Sequence, residues 1–292
     1  MRKRLILVLA LPGLVVLALA LNTARNYAGW QPATESPAER LARLEPHWRI
    51  LRPDGPGPHP AAVLLSGCDG VHDNMDYWAR QFLAMGRAAL ILDSHAPRGL
   101  DRAQAWRAIC AGQVLPGAER AGDLAVALAA LREMPGIDAS DVALLGTSHG
   151  GWTAMELLRQ LGGAEPPPGL AAWPAPPGSL AAQLGPVVLL YPYCGLLNGA
   201  AKGAWPGHVR GLMLLAELDS ITDAADCQRM AADMAAQGAH LAVTAYPGID
   251  HGFDQRERSV LSPLEFDPAA RARAGADIRA FIQGFAPPAT GI

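Results

Sequence analysis

The stretch VALLGTSHGG, residues 142–151, decides the fold that we predict for this chain. Its first four residues are apolar and predict a buried strand, and the residues from 152 onward have the spacing of a helix. Between them, Gly146, Ser148 and Gly150 form the pattern G-x-S-x-G. In that context the pattern predicts a sharp strand-to-helix turn that projects the Ser148 hydroxyl, with glycine on either side because a Cβ atom there would clash.

Short apolar runs alternate with helical segments along the rest of the chain. Runs bounded by Gly, Pro or Asp predict strands over residues 61–65, 88–92, 142–145, 187–190, 211–216 and 241–245. Helices are predicted over 75–85, 119–133, 152–161, 222–237 and 268–285, and residues 47–52 predict an additional edge strand. Elements in this order predict an α/β fold, a doubly wound, mostly parallel sheet flanked by helices.

The composition of the chain excludes several classes of protein. Of its 292 residues, 50% are hydrophobic and 17% are charged, with a formal net charge of -3, so the chain can bury a full core and is not disordered. Only two lysines are present, Lys3 and Lys202, and the arginines are scattered. Because no basic patch gathers phosphates, we do not expect nucleic acid as a partner.

The N-terminal segment, residues 1–21, resembles a secretory signal peptide. Basic residues precede an apolar run from Leu5 to Leu21, and the small residues around Ala18 suit a cleavage site. The alternative is an uncleaved membrane anchor, since the uncharged stretch is long enough to cross a bilayer. Both alternatives predict export. A cleaved signal peptide would release the protein into the periplasm or the medium, and an uncleaved anchor would tether it to the membrane. A linker over 22–46 then leads into a single domain over 47–287.

A proline-rich stretch at residues 162–185 interrupts the alternation of strands and helices. It carries six prolines and Trp173 directly after the helix predicted to begin at residue 152. Because proline cannot continue a helix, this stretch is an irregular segment. It is either a partial lid over a site or an exposed excursion of the chain.

Four cysteines, Cys68, Cys110, Cys194 and Cys227, are widely separated and lack the C-x-x-C spacing of metal sites. After export they would meet an oxidising compartment, in which one or two disulfides can form. The alternative is four buried thiols that pack as small apolar side chains. The sequence is compatible with both.

A serine hydroxyl needs a neighbouring base to act as a nucleophile, and a later loop supplies one. His251 lies in the short loop after the last predicted strand, ahead of the terminal helix. The acid should follow the strand before it, where Asp219 comes directly after an apolar run. Asp223 and Glu217 are alternatives, and Asp223 suits the first turn of the next helix. The order predicts Ser148, Asp219 and His251 as the catalytic residues.

Acyl chemistry also needs two backbone N–H groups that face a developing oxyanion. One should come from His149, the residue after the nucleophile, and the other from the loop after the first long strand, where Cys68 lies. Only the backbone of these two residues is needed. The sequence has no spacing typical of zinc hydrolases and no dinucleotide-binding motif, so we expect neither a metal nor an organic cofactor.

Five short motifs in this chain are similar to those of the dienelactone hydrolase family of α/β-hydrolases. They are residues 67–70, 93–99, 146–151, 217–219 and 251–253, spread over residues 48–285. The resemblance implies an α/β-hydrolase fold with Ser148, Asp219 and His251 as the triad. The chain differs at the nucleophile, since dienelactone hydrolases use a cysteine there, and at the glutamate that contacts that thiol, which is replaced around Gly67.

The same resemblance implies a role for Arg98. The family places an arginine near the pocket, where a guanidinium pairs with a carboxylate of the substrate, so Arg98 is a candidate substrate-binding residue. The alternative is a structural ion pair with Asp93 or Asp101.

Together these residues predict an exported serine hydrolase that splits a carboxylic ester or lactone through an acyl-enzyme on Ser148. Its expected partner is a small-molecule ester. Two alternatives share the same features. An acyltransferase would use the same residues and pass the acyl group to an acceptor other than water, and a non-catalytic binding protein would share only the fold.

Overall fold

The computed structural model describes residues 2–31, 34–258, 262 and 264–284, and a seven-stranded sheet lies at the centre of this part of the chain. The strands are β1 (Arg49–Leu51), β2 (His59–Leu65), β3 (Ala88–Leu92), β4 (Ile137–Thr147), β5 (Leu184–Leu190), β6 (Arg210–Ala216) and β7 (His240–Tyr246). Their order is β1-β3-β2-β4-β5-β6-β7, with β1 antiparallel to β3 and the other neighbours parallel. The predicted doubly wound α/β sheet is confirmed, and β1 is the predicted edge strand.

Helices α5, α6 and α8 pack on one face of the sheet, and α3 and α9 pack on the other. The helices of the described residues are α1 (Arg2–Tyr27), α2 (Pro37–Leu44), α3 (Asp73–Ala84), α4 (Arg102–Ala108), α5 (Gly117–Leu131), α6 (His149–Gln160), α7 (Pro177–Ala182), α8 (Ala224–Ala236) and α9 (Pro268–Gln283). The five predicted helices correspond to α3, α5, α6, α8 and α9, with ends shifted by a few residues. The predicted end of the last helix at residue 285 and of the domain at residue 287 lie outside the described residues.

Alternation along the strands builds the two halves of the core. In β2, Val63 and Leu65 lie on the face of the sheet that α5, α6 and α8 cover, whereas Ala62 and Leu64 lie on the face that α3 and α9 cover. All four side chains are fully buried. A parallel strand that is buried on both faces must be apolar throughout, which is why these strands are recognisable in the sequence as short hydrophobic runs.

The direction in which successive strands join the sheet reverses at β2. From β2 it passes to β3 on one side, and it then returns to place β4 on the other side of β2. Loops that follow β2 and β4 therefore leave the carboxyl edge of the sheet in different directions. The crevice between such loops is the usual place for a ligand in an open α/β sheet. Ser66 and Ser148 begin these two loops.

The predicted linker, residues 22–46, is partly folded onto the domain. α2 begins with a capping box, in which the Ser36 hydroxyl accepts a hydrogen bond from the Glu39 N–H and the Glu39 carboxylate accepts one from the Ser36 N–H. Leu44 at the end of α2 is fully buried and packs with Val126 of α5. This part of the segment is therefore a helix of the domain, started by a capping signal that the sequence analysis did not use.

α1 covers residues 2–21 of the predicted signal segment and continues to Tyr27. Among the described residues, no helix combines the length and the hydropathy that crossing a membrane requires. Beyond the apolar run, Asn22 and Asn26 donate hydrogen bonds to the carbonyl oxygens of Gln113 and Gly112, at 2.7 and 2.9 Å respectively. The residues just after the predicted cleavage site thus contact the domain, while cleavage and export stay predictions.

The proline-rich stretch, residues 162–185, packs beside α5. Leu170 is buried in one cluster with Val126 of α5 and Leu44 of α2. Gly122 of α5 lies so close that a Cβ atom added to it would be 3.1 Å from the Leu170 side chain. Leu170 therefore belongs to the core, whereas residues 162–165 and 171–172 are exposed. The stretch is not irregular throughout, because α7 and the first residues of β5 lie within it. The interpretation as a partial lid stays a prediction.

Candidate active site

Ser148 occupies a strained turn between β4 and α6. Its φ of 49° and ψ of -113° lie outside the regions that residues with a side chain ordinarily adopt. A Cβ atom added to Gly146 would lie 2.4 Å from the carbonyl carbon of Gly150, and one added to Gly150 would lie 2.1 Å from the carbonyl oxygen of Leu65. The backbone around Ser148 therefore has room for glycine alone at both positions.

Ser148, His251 and Asp219 form a hydrogen-bonded row, although 103 residues separate the first two. The Nε2 atom of His251 lies 3.0 Å from Ser148 Oγ, and its Nδ1 atom lies 2.8 Å from Asp219 Oδ2. The three residues follow β4, β7 and β6, so all of them lie at the carboxyl edge of the sheet. The structure brings together the three residues that the sequence order predicts, in the arrangement that nucleophile, base and acid require.

Backbone and side-chain donors fix the Asp219 carboxylate. Oδ1 accepts from the N–H groups of Ile221 at 2.9 Å and Thr222 at 2.6 Å, and Oδ2 accepts from the Thr222 hydroxyl at 2.9 Å. Burial opposes the ionised form, but the bonds from His251, Thr222 and Ile221 outweigh it and hold the pKa of Asp219 below its ordinary value. Asp219 is therefore an anion that can keep the His251 Nδ1 protonated.

The two alternative acids have other contacts. Asp223 is the N-cap of α8 and accepts from the Ala225 N–H at 2.8 Å. Glu217 accepts from the Gly248 N–H at 2.9 Å. The acid that bonds the Nδ1 atom of His251 is therefore Asp219, whereas Asp223 and Glu217 accept hydrogen bonds from nearby backbone N–H groups.

A buried polar network supports the His251 ring. Tyr191, at a φ of 36°, packs edge-on against this ring with the centroids 4.6 Å apart. The Tyr191 hydroxyl donates to Asp254, which also accepts from Trp78 Nε1 at 2.6 Å and Asn74 Nδ2 at 3.2 Å. Burial raises the pKa of both Tyr191 and Asp254. This network could not be predicted from the sequence, because its members come from distant segments and form no motif.

The two predicted oxyanion donors lie on segments that meet at Ser148. His149 is the first residue of α6, where backbone N–H groups have no partner within the helix. Cys68 lies in the loop after β2, and a Cβ atom added to the neighbouring Gly67 would be 3.8 Å from Ser148 Cβ. This loop therefore lies against the turn of Ser148, and an oxyanion site needs N–H groups from two segments that meet in this way.

Cys68 is held by contacts that the sequence analysis did not assign. The Nε2 atom of His95 lies 3.1 Å from the Cys68 carbonyl oxygen. Burial, together with the nearby Arg120, lowers the pKa of His95 to about 4, so a neutral ring protonated on Nε2 donates this bond. The Cys68 side chain is bonded to Cys110. Both contacts fix the loop that supplies one of the predicted oxyanion donors.

All four cysteines form disulfides. Cys68 pairs with Cys110 and Cys194 pairs with Cys227, across 42 and 33 residues. The alternative of four buried thiols is therefore wrong. The first disulfide ties the loop after β2 to the segment that follows α4, and the second ties the loop after β5 to α8.

Arg98 makes an ion pair with the fully buried Asp123 of α5. Its Nη1 and Nη2 atoms donate to the two carboxylate oxygens at 2.8 and 3.0 Å, and Arg40 donates to the same group at 2.7 Å. Burial opposes the charge, but the two guanidinium groups hold the pKa of Asp123 far below its ordinary value. The Arg98 guanidinium, which the resemblance places at a substrate carboxylate, is thus occupied by a carboxylate of the protein. Its partner is Asp123 on the neighbouring α5, and not Asp93 or Asp101.

Replacing Arg98 with methionine should lower the free energy of unfolding by about 3 kcal/mol, because the buried Asp123 keeps one guanidinium partner instead of two. Urea denaturation measures this change. Arg102→Met is the matched control, since Arg102 pairs with Glu257 at the surface and its loss should cost little. Unchanged stability with a KM that rises only for carboxylate-bearing esters would contradict the structural role and support substrate binding.

Replacing Cys68 and Cys110 together with serine should lower both stability and kcat. The loss of stability should be about 2 to 4 kcal/mol, as is typical for a native disulfide. The loss of kcat follows because the loop with the Cys68 N–H is no longer tied down. The double variant at Cys194 and Cys227 is the control. It should lose similar stability and keep its kcat at low temperature, and equal kcat values in the two variants would contradict the positioning role.

Comparison with known proteins adds to this geometry. The model of the dienelactone hydrolase family matches residues 207–286. That segment contains β6, β7 and α9, and with them Asp219 and His251. No curated protein matches the chain significantly.

Solved structures share the fold over about four fifths of the chain. A dienelactone hydrolase-like promiscuous phosphotriesterase from metagenomic libraries is 21% identical, with a TM-score of 0.62 over 82% of this chain and 92% of its own. Esterase 2 of Thermogutta terrifontis is 14% identical, with a TM-score of 0.60 over 82% and 90%. A dienelactone hydrolase candidate from Klebsiella pneumoniae is 17% identical, with a TM-score of 0.59 over 81% and 92%. At these identities the likeness is one of fold.

The sheet order, with Ser148, Asp219 and His251 in loops at its carboxyl edge, defines an α/β-hydrolase. Within that class, residues 207–286 match the model of the dienelactone hydrolase family. This match and the shared fold confirm the resemblance drawn from the five motifs.

Proposed function

We propose that the protein is an exported serine hydrolase that splits carboxylic esters through an acyl-enzyme on Ser148. The observation that carries the proposal is the hydrogen-bonded row of Ser148, His251 and Asp219 beside the Cys68 loop. This arrangement gives a weak nucleophile the base and the oriented acid that it needs. The family match and the esterase fold support a hydrolase that acts on ester bonds.

In the first step, Ser148 Oγ attacks the carbonyl carbon of the ester while His251 Nε2 takes the hydroxyl proton. The carbonyl oxygen becomes an oxyanion, which the N–H groups of Cys68 and His149 stabilise. Asp219 holds the proton on Nδ1 and stabilises the imidazolium. When the tetrahedral intermediate collapses, the bond to the alkoxy oxygen breaks, and the leaving alcohol takes the proton from Nε2.

Water releases the acid in the second step. It attacks the acyl carbon while His251 Nε2 takes one of its protons, and the same two N–H groups stabilise the second oxyanion. Collapse then breaks the bond to Ser148 Oγ, which takes the proton back from His251. An acyltransferase would differ only here, because an alcohol would replace water as the attacking group.

The neighbouring structures indicate a suitable first substrate. Esterase 2 of Thermogutta terrifontis has been solved with propionate bound and after phosphorylation by paraoxon. A short acyl group on a good leaving group is therefore our choice for this chain.

Turnover of p-nitrophenyl acetate and butyrate by the purified protein tests the proposal. We expect saturable hydrolysis, with the free acid as the main product when methanol or glycerol competes with water. A product that is mainly the new ester would favour the acyltransferase. Binding of the ester without turnover would contradict the enzyme and favour the non-catalytic binding protein.

Export is the second part of the proposal. The N-terminal basic residues and apolar run support it, as do the two disulfides, because such bonds persist in oxidising compartments. The intact mass of the protein from the periplasmic or secreted fraction tests it. We expect the loss of about 20 residues. A full-length mass in the membrane fraction would favour the anchor, and a full-length mass in the cytosol would contradict export.

A further inference from the structure

The buried guanidinium of Arg120 on α5 contacts both segments that carry the predicted oxyanion donors, the loop with Cys68 and the start of α6 with His149. Its Nη1 atom donates to the Ser66 carbonyl oxygen at 2.8 Å and lies 3.2 Å from His149 Nδ1. Its Nη2 atom donates to the Ser66 hydroxyl at 3.2 Å, and Nε donates to the Ser94 hydroxyl at 3.1 Å. Ser66 begins the loop that carries Cys68, and His149 carries the second donor.

We infer that Arg120 is a positioning residue that fixes the spacing between the N–H groups of Cys68 and His149. The inference rests on the proposed function, since the spacing matters only if these groups stabilise an oxyanion. A fork of five N–H donors suits this task, because one rigid plane reaches acceptors on two separate segments at once.

The protonation states of the two groups suit this contact. Burial, with Arg120 and His95 nearby, holds the pKa of His149 well below its ordinary value, so the ring is neutral and its Nδ1 atom accepts from Arg120. Burial lowers the pKa of Arg120 to about 10, so the guanidinium stays charged at neutral pH. Its positive charge lies against Ser66 and His149, on the two segments that carry the N–H groups, and a positive charge near an oxyanion would add to the stabilisation that they give.

Arg120 differs from an ordinary structural arginine in where its hydrogen bonds go. It is fully buried, and its bonds go to Ser66, Ser94 and His149, all at the carboxyl edge of the sheet. Arg87 is also buried, but it bonds the carbonyl oxygen and the carboxylate of Asp141, which precede the apolar part of β4 at the opposite edge. Arg87 therefore provides a matched control for the cost of losing a buried guanidinium.

The test compares Arg120→Met, Arg120→Lys and Arg87→Met as full-length proteins. A fluorophosphonate probe titrates the fraction of active sites at completion, and kcat for p-nitrophenyl butyrate is expressed per titrated site. We expect Arg120→Met to lose about 10- to 100-fold in kcat with KM within about twofold, because oxyanion donors act in the transition state. The kcat of Arg120→Lys should lie between those of Arg120→Met and the wild type, since lysine keeps the positive charge but lacks the planar set of five N–H donors. Arg87→Met should keep its kcat per site.

The outcomes separate this inference from the proposed function. A wild-type protein without label and without turnover would contradict the proposed function itself. An active wild type whose Arg120 variants keep the wild-type kcat per titrated site would overturn the positioning role alone, and so would an equal loss in Arg87→Met. If both Arg120 variants fail to fold, Ser94→Ala removes one acceptor and should lower kcat per site about 2- to 10-fold. An unchanged value in Ser94→Ala would overturn the inference.

Discussion

The Ser148→Ala variant should retain less than about one part in 10⁴ of the wild-type kcat for a p-nitrophenyl ester. The methyl group of alanine cannot attack the carbonyl carbon, so no acyl-enzyme forms. Only the Cys68 and His149 N–H groups and the binding of the ester remain to assist attack by water. Steady-state kinetics with enough protein to detect the residual rate measures this loss, and the free energy of unfolding should change little.

Ser140→Ala is the matched control for this change. Ser140 lies on the same strand, β4, but near its other end, where its hydroxyl is exposed and donates to Asp138 at 2.6 Å. We expect wild-type kinetics from it. A Ser148→Ala protein that retains a tenth or more of the activity would show that another group is the nucleophile.

The Asp219→Asn variant should lower kcat by about 10⁴-fold while the fold persists. An amide at this position can donate to His251 Nδ1, which favours the tautomer with the proton on Nε2. That tautomer cannot accept the proton from Ser148. The loss of the negative charge also removes the group that stabilises the imidazolium. The N–H groups of Ile221 and Thr222, which now bond Oδ1, still have an oxygen to bond in asparagine.

Asp223→Asn distinguishes Asp219 from Asp223, one of the two alternative acids. Asp223 caps α8, and asparagine caps a helix about as well as aspartate, so we expect unchanged kcat and nearly unchanged stability. A large loss of kcat in Asp223→Asn with little loss in Asp219→Asn would contradict the assignment of the acid.

The fold could be predicted because its signals are local. Parallel strands that are buried on both faces must be apolar runs, and the alternation of such runs with helices leaves few topologies. The turn at Ser148 was predictable because Gly146, Ser148 and Gly150 form a short pattern between a strand and a helix, although the atom that excludes a side chain at Gly150 is the carbonyl oxygen of Leu65 on β2. His251 and Asp219 could be placed because they directly follow β7 and β6.

The support of the site could not be predicted, because it depends on which distant segments meet. Nothing local marks Arg120 as the partner of Ser66 and His149, or Asp254 as the partner of Tyr191. The predicted ion-pair partners of Arg98 were wrong for the same reason. Asp93 and Asp101 are near Arg98 in sequence, but the carboxylate that bonds it is that of Asp123 on α5. Buried polar residues have to find partners, but the sequence does not say which ones.

Three short helices, α2, α4 and α7, were not predicted, and two of them had a signal in the sequence. α2 and α4 each begin with a capping box, with Ser36 and Glu39 in the first and Asp101 and Gln104 in the second. These signals are present in the sequence. They were not used because each helix is too short to show a helical period of apolar residues.

Covalent labelling by a fluorophosphonate, with the modified residue located by mass spectrometry, tests the central claim most directly. We predict one label per chain, on Ser148, with no label in the Ser148→Ala variant and unchanged labelling in Ser140→Ala. Absence of any label on a folded, monodisperse protein, or a label on another residue that persists in Ser148→Ala, would contradict the assignment of Ser148 as the nucleophile.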